Sequence, residues 1–136
     1  MIMILYPSRT LSISIAQPYQ TVYNFICEPD NMHLWADGLH NLNFEDGDWV
    51  IDTPKGKATI QFSVCNSFGI VDHYVRLPDG FEIYIPLRVI ENGHGADVVF
   101  TLFHHSSMSF DEFERDAIAV EKDLRTLKTI LENKHD

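Results

Sequence analysis

Residues Ser109–Glu132 read SFDEFERDAIAVEKDLRTLKTILE, and within them Phe110, Phe113, Ala117, Val120, Leu124, Leu127 and Leu131 recur at alternating spacings of three and four. That period places every one of them on a single face of an α-helix, so the segment is expected to be a long helix with one apolar stripe along its length. Ser109 and Glu112 stand three apart immediately before the stripe, the spacing of a capping box, and Met108 and Phe113 are placed as its hydrophobic staple. On the opposite face Asp111 with Arg115 and Glu121 with Arg125 are four residues apart, pairs worth roughly a few tenths of a kcal/mol each. The same stripe would serve as a coiled-coil seam, but it runs for only about three heptads beside a hydrophobic β-region, which favours packing against this chain's own sheet.

Upstream of the helix the pattern changes to a period of two, punctuated by the turn-forming stretches Asp46-Gly47, Pro54-Lys55-Gly56, Pro78-Asp79-Gly80 and Asn92-Gly93. Glycine and asparagine tolerate the positive φ of tight turns, so each stretch marks a chain reversal. Between and around them lie the expected strands Asp48 to Thr53, Lys57 to Cys65, Gly69 to Arg76, Phe81 to Ile90 and Ala96 to His105, an antiparallel meander. A further strand is expected at Arg9 to Ala16, where Leu11, Ile13 and Ile15 alternate with Thr10, Ser12 and Ser14. Two short helices should follow it. One begins after Pro18 with Val22, Phe25 and Ile26 on one face; the other is opened by Pro29, carries Met32, Leu34 and Trp35, and is stopped by Gly38.

Composition bounds the rest. The 136 residues, 45% of them hydrophobic, suffice for the core of one domain spanning 1–136, and no Gly/Ser-rich or Pro-rich linker, repeat or low-complexity stretch divides them. Ten basic against twenty acidic residues give a formal net charge of -10, which repels nucleic acid and anionic membrane surfaces. No apolar run approaches the roughly 18 residues of a membrane span. The opening MIMILYPSRT carries a proline and an arginine where a signal peptide has an unbroken apolar core, and Cys27 and Cys65 form no CxxC pair. The expectation is a cytoplasmic protein with two free thiols, a monomer or weak homodimer.

The fold class is therefore α+β, and its element order has a physical consequence. An antiparallel sheet twists and curls; a helix laid across its concave side touches it along one line and leaves space that two small helices can cover. That order, together with SISIAQPYQTVYNFICEPDNMHLW (12–35), GDWVIDTPKGKATIQF (47–62), FGIVDHYV (68–75), LRVIENGHGADVVFTLF (87–103) and FERDAIAVEKDLRTLKTILE (113–132), resembles the helix-grip superfamily. The superfamily comprises START-domain lipid carriers, polyketide cyclase/dehydrases and the birch-pollen allergen group, and the resemblance spans nearly the whole chain. It implies a curved antiparallel sheet wrapped around the long C-terminal helix and a cavity for a hydrophobic or aromatic ligand. It implies no shared catalytic set, because members differ there.

Strand alternation selects the side chains that should face such a cavity. They are Ala58, Ile60, Phe62 and Val64; Ile83, Ile85, Leu87 and Val89; Val98, Phe100, Leu102 and His104; and Trp49 with Ile51. Trp35 and Phe113 should close the two ends. The expected ligand contacts are Trp35, Trp49, Phe62, His73, Ile85, Leu87, Phe100, His104 and Phe113. His73 is set inward because Asp72 and Arg76 suit solvent better, and beside His104 it would be the only titratable pair in an apolar pocket, usable as an acid or base near neutral pH. Asp72 and Arg88 are expected to pair on the outer face, or to turn inward as a charged anchor if a bulge at Pro86 shifts the register. His104 and His105, adjacent on a strand, point to opposite faces and make a poor chelate, and no metal or cofactor motif is present. Three functions follow: a carrier or sensor of a hydrophobic small molecule, a cyclase- or dehydratase-like enzyme using His73, and a protein-interaction module.

Overall fold

The computed structural model describes residues 2–133. The alternating segment forms strand β1 (Ser8–Ile15), followed by helix α1 (Tyr19–Ile26), a 3-10 turn at Pro29–Asn31, the short helix α2 (Met32–Trp35) and a second 3-10 turn at Asp37–Leu39. Gly38 thus lies within that last turn instead of ending the helix. Next come β2 (Asn43–Glu45), β3 (Asp48–Thr53), β4 (Gly56–Phe62), β5 (His73–Arg76), β6 (Glu82–Ile85), β7 (Leu87–Asn92), β8 (Gly95–Phe103) and helix α3 (Phe110–Glu132).

All strand pairs are antiparallel, in two sheets ordered β1-β8-β7 and β2-β3-β4-β5-β6. The four turn stretches join β2 to β3, β3 to β4, β5 to β6 and β7 to β8. At the first of them Asp46 and Gly47 take φ of 50° and 87°, the left-handed pair that a tight two-residue hairpin needs. The three-residue β2 lacks an alternating run of its own and is defined by pairing Phe44 against Trp49.

The segment 81–90, expected as one strand, divides at Pro86, which has no N–H to give to a ladder. Around this break the segment 69–72 leaves β5 and runs beside β7. Val71 N–H donates to the Leu87 carbonyl (2.8 Å) and Val89 N–H to the Gly69 carbonyl (2.9 Å). Gly69 has φ 74°, and a Cβ there would overlap the Val89 carbonyl and the Tyr19 hydroxyl, so the close approach requires glycine. Asp72 fills the gap in the ladder: its carboxylate accepts from Leu87 N–H (3.0 Å), Arg88 Nε (3.0 Å), Arg88 Nη2 (2.8 Å) and the Tyr84 hydroxyl (2.6 Å). The two sheets are consequently two parts of one curled surface, joined through Pro86 and this carboxylate.

Helix α3 begins with the expected capping box, Glu112 N–H donating to Ser109 Oγ (3.1 Å) and Ser109 N–H to Glu112 Oε1 (2.9 Å). It lies along β1, where Lys128 Nζ donates to the Ser14 carbonyl (2.6 Å), and Asp123 accepts from Asp37 N–H below α2 (3.2 Å). Of the two expected surface pairs, Glu121 and Arg125 meet at 2.7 Å, whereas Asp111 and Arg115 do not. The Arg115 charge acts on Glu112 and Asp116 instead. Two antiparallel sheets meeting at Pro86, short helices after the first strand and one long C-terminal helix make a helix-grip fold.

The cysteines correct the sequence expectation. Cys27 and Cys65 are not free but joined as a disulfide, with Cα atoms 5.5 Å apart and 37 residues between them. The end of α1 and the loop after β4 meet there, a proximity that spacing along the chain could not show.

Candidate functional site

The register assigns an inner face without ambiguity. Trp49 opposes Ile60, Phe62 opposes His73, Val75 opposes Ile83 and His73 opposes Ile85, so all of these share one side. In the other sheet Leu87 and Leu11 flank Phe100, and Val89 and Ile13 flank Val98. These side chains share one face, as alternation predicts, but Val64, expected on the same face, lies beyond the end of β4 and is 86% exposed.

Their packing is uneven. Toward the C-terminal end of α3, Leu124, Leu127 and Leu131 pack with Val22, Ile26, Met32, Trp35, Val71, Leu87, Val89 and Val98 in one fully buried cluster. A second, smaller cluster of Ile51, Ala58 and Ile60 lies in the other sheet. Between them Trp49, Phe62, Val75, Ile83, Ile85, Phe100 and Leu102 are only half-buried, although all point inward. Ring contacts run successively from Phe44, which is 60% exposed, to Trp49 (centroids 5.3 Å apart), from Trp49 to Phe62 (6.1 Å) and from Phe62 to His73 (5.5 Å).

His73 ends that succession and is 5% exposed. Its Nδ1 lies 3.1 Å from the Val71 carbonyl; only a protonated Nδ1 can donate there, so in the neutral ring Nε2 is left as an acceptor with no partner among the described residues. Burial pushes its pKa below the ordinary histidine value, against the Val71 carbonyl and the Asp72 charge, which favour protonation. Asp72, next in sequence, points to the opposite face. Burial would raise its carboxyl, but hydrogen bonds from Arg88, Tyr84 and Leu87 outweigh that and hold it at about 2. Asp72 and Arg88 therefore pair on the outer face, and His73 has no carboxylate partner.

The remaining expected contacts are spread along the inner face. Trp35 is 4% exposed in the packed cluster, and its Nε1–H finds no acceptor among the described residues. Leu87 is wholly enclosed there too. Ile85 and Phe100 belong to the half-buried set. At the N-terminal end of α3, His104 stacks on Phe113 with centroids 4.7 Å apart, its Nε2 2.7 Å from the Met108 carbonyl, and the Arg9 guanidinium lies over the Phe113 ring, 5.6 Å from its centroid. His73 and His104 make no contact with each other, so the expected pair does not form.

Sequence reasoning missed His105. It is 8% exposed, sits between the rings of Tyr6 and Phe81, and neither of its nitrogens has a hydrogen-bond partner among the described residues. Alternation puts it on the outer face, and only the approach of Tyr6 and Phe81 buries it. The largest groove among those described, about 810 Å³, also lies mainly on the outer face. Its walls include Thr59, Gln61, Tyr74 and Arg76 with Cys27, Glu28 and Cys65, and of the expected contacts it reaches only Trp49 and Phe62.

No protein-family model matches this sequence, and none of the curated proteins does. Solved structures do match in fold. XoxI from Bacillus cereus superposes with a TM-score of 0.73 at 13% identity, covering 94% of this chain and 99% of its own. DynU16, from the dynemicin biosynthetic locus, gives 0.70 at 12% identity over 93% of this chain and 47% of its own length. Ara h 8.0201 gives 0.61 at 7% identity over 94% and 99%. At such identities the likeness is one of fold.

Proposed function

We propose that this chain binds a hydrophobic or aromatic small molecule between its sheet and the N-terminal half of α3, acting as a carrier or sensor. One observation carries the reading: inward apolar side chains, Phe62, Val75, Ile83, Ile85, Phe100 and Leu102 among them, are half-buried while their neighbours under the C-terminal half of the helix are fully buried. Apolar groups left partly wet on the concave side of a sheet are what an apolar ligand covers, at roughly 25 cal/mol per Å² removed from water. The succession of ring contacts from Phe44 to His73 suits an aromatic guest, and His73 Nε2 offers one acceptor to a donor on it. The helix-grip fold is compatible with small-molecule binding.

Native mass spectrometry of the protein as purified from cells, set against its denatured mass, tests this directly. A retained small molecule is expected, together with saturable uptake of a neutral apolar fluorophore such as N-phenylnaphthylamine by the emptied protein. A bare mass combined with no uptake of the fluorophore would overturn the proposal.

A further inference from the structure

We propose that Cys27, Glu28 and Cys65, once their disulfide is reduced, form a binding site for a thiophilic divalent cation, Zn²⁺ being the natural occupant. One ligating atom from each residue, two sulfurs and a carboxylate oxygen, lies within 4.8 Å of the other two. The two sulfurs are this close because they are bonded, with Cα atoms 5.5 Å apart, and Glu28 Oε1 lies 3.9 Å from Cys65 Sγ; zinc bonds thiolate sulfur at about 2.3 Å in tetrahedral geometry, so on reduction the sulfurs must part to about 3.8 Å to share one ion with the carboxylate. Two thiolates with one carboxylate match the borderline-soft character of zinc better than that of calcium or magnesium.

Contacts other than the disulfide also hold the site. The Tyr23 hydroxyl accepts from Asn66 N–H (2.7 Å) and donates to the Ile70 carbonyl (3.3 Å), so it holds the loop that carries Cys65 at two points. Asn66 fixes that loop from within: its Oδ1 accepts from Phe68 N–H (2.8 Å) and its Nδ2 donates to the Ile70 carbonyl (2.9 Å). Cys27 is the C-cap of the same helix turn, its N–H donating to the Tyr23 carbonyl (2.9 Å). One tyrosine thus ties down both cysteines through hydrogen bonds in which neither sulfur takes part. Glu28 is held extended (φ -91°, ψ 115°) by the proline that follows it.

Access and charge favour a cation. Cys27 is buried, whereas Cys65 and Glu28 are exposed, and all three border the 810 Å³ groove, which leaves a fourth coordination position open to water. The one arginine in that groove, Arg76, is paired with Glu82 (3.1 Å), and the chain as a whole carries -10. The chemistry balances. A dithiol reductant gives two electrons and two protons to the disulfide and is itself oxidised to a disulfide, yielding two thiols; Zn²⁺ then displaces those two protons to form two metal–sulfur bonds. Oxidation by a low-molecular-weight disulfide reverses the sequence and expels the ion, so metal occupancy reports the thiol state.

The test uses the full chain reduced with a water-soluble phosphine, which adds no competing thiol, and titrated with Co²⁺ as a spectroscopic stand-in for Zn²⁺. One Co²⁺ per chain is expected, with thiolate-to-cobalt charge-transfer absorption that Zn²⁺ bleaches and that the oxidised chain never shows. Cys65→Ser should abolish it, and Glu28→Gln, which leaves both thiols in place, should weaken it at least about tenfold. No charge-transfer band in the reduced chain, the same band in the oxidised chain, or unchanged affinity in Glu28→Gln would overturn the site. The assay does not involve the apolar interior, so either proposal can fail while the other stands.

Discussion

The two halves of α3 rest on different ground. Its C-terminal half sets Leu124, Leu127 and Leu131, all 0–2% exposed, into side chains from α1, α2, β7 and β8 that are equally enclosed. Its N-terminal half has two buried residues, Phe113 and Ala117, and a half-buried Val120 that packs at the edge of the enclosed cluster. One amphipathic stripe of uniform period meets two environments, because α1 and α2 fill the space at one end only. Where small helices intervene the inward side chains are fully enclosed; where they do not, those side chains stay partly exposed.

The strongest way to break that comparison is to truncate the stripe at both ends. Leu127→Ala removes a wholly enclosed side chain and should cost about 3–5 kcal/mol, near the top of the range for core truncations. Val120→Ala should cost about 1 kcal/mol or less, since Val120 is itself only half-buried at the edge of the cluster and loses little apolar area. Urea denaturation with a constant m-value measures both. Equal losses would mean that the helix is packed alike along its length.

Asp72→Ala comes next. It leaves Leu87 N–H, Tyr84 and Arg88 without their shared acceptor at the Pro86 break, and should cost about 2–3 kcal/mol at neutral pH. The sign of its pH dependence follows from the carboxyl being lowered from 3.8 to about 2 on folding. Its contribution is complete above pH 3.8 and disappears as pH falls through 2, so the gap between wild type and variant should narrow across that window. A gap independent of pH would show that the ionised carboxylate is not what bridges the sheets.

His73 gives a smaller effect, whose direction follows from its burial. Burial lowers its pKa below 6.5, so below that pH the unfolded chain binds a proton that the folded chain refuses. Stability should be full above 6.5, fall as the pH drops toward the folded value, and level off beneath it. His73→Gln should flatten part of the slope. His105, lowered by burial and by the charge of His104, accounts for the rest. An unchanged slope in His73→Gln would place the ring in contact with water and remove it from the candidate site.

What could be foreseen divides along physical lines. The long helix, its capping box and the inward direction of His73 depend on periods of 3.6 and 2 and on side chains three residues apart, all local properties written in Ser109–Glu132 and Val71–Val75. Pro86 entered the sequence reading only as the place of a bulge within one strand; the break there and the use of Asp72 to complete the ladder depend on where residues 69–72 travel. The Cys27–Cys65 bond, the burial of His105 by Tyr6 and Phe81, and the separation of His73 from His104 are meetings of segments distant in sequence. No local pattern encodes them. Alternation says which way a side chain points, and tertiary packing decides whether anything is there to meet it.

The smallest expected stability change is the one that tests the comparison most sharply. Ile85 lies opposite His73 and is half-buried, so Ile85→Phe sends a larger side chain into the region read as open. In a filled core, added volume costs about 1–3 kcal/mol through displaced neighbours. Here the ring should settle against Phe62 and His73 with a change within about 0.5 kcal/mol, because apolar area gained offsets the little that must move. The same ring should displace N-phenylnaphthylamine, so uptake falls while the denaturation midpoint holds. A large loss of stability would mean that the sheet and the N-terminal half of α3 are already in contact. Unchanged stability with unchanged uptake would move the binding site away from Ile85, toward the outer groove that Trp49 and Phe62 also border.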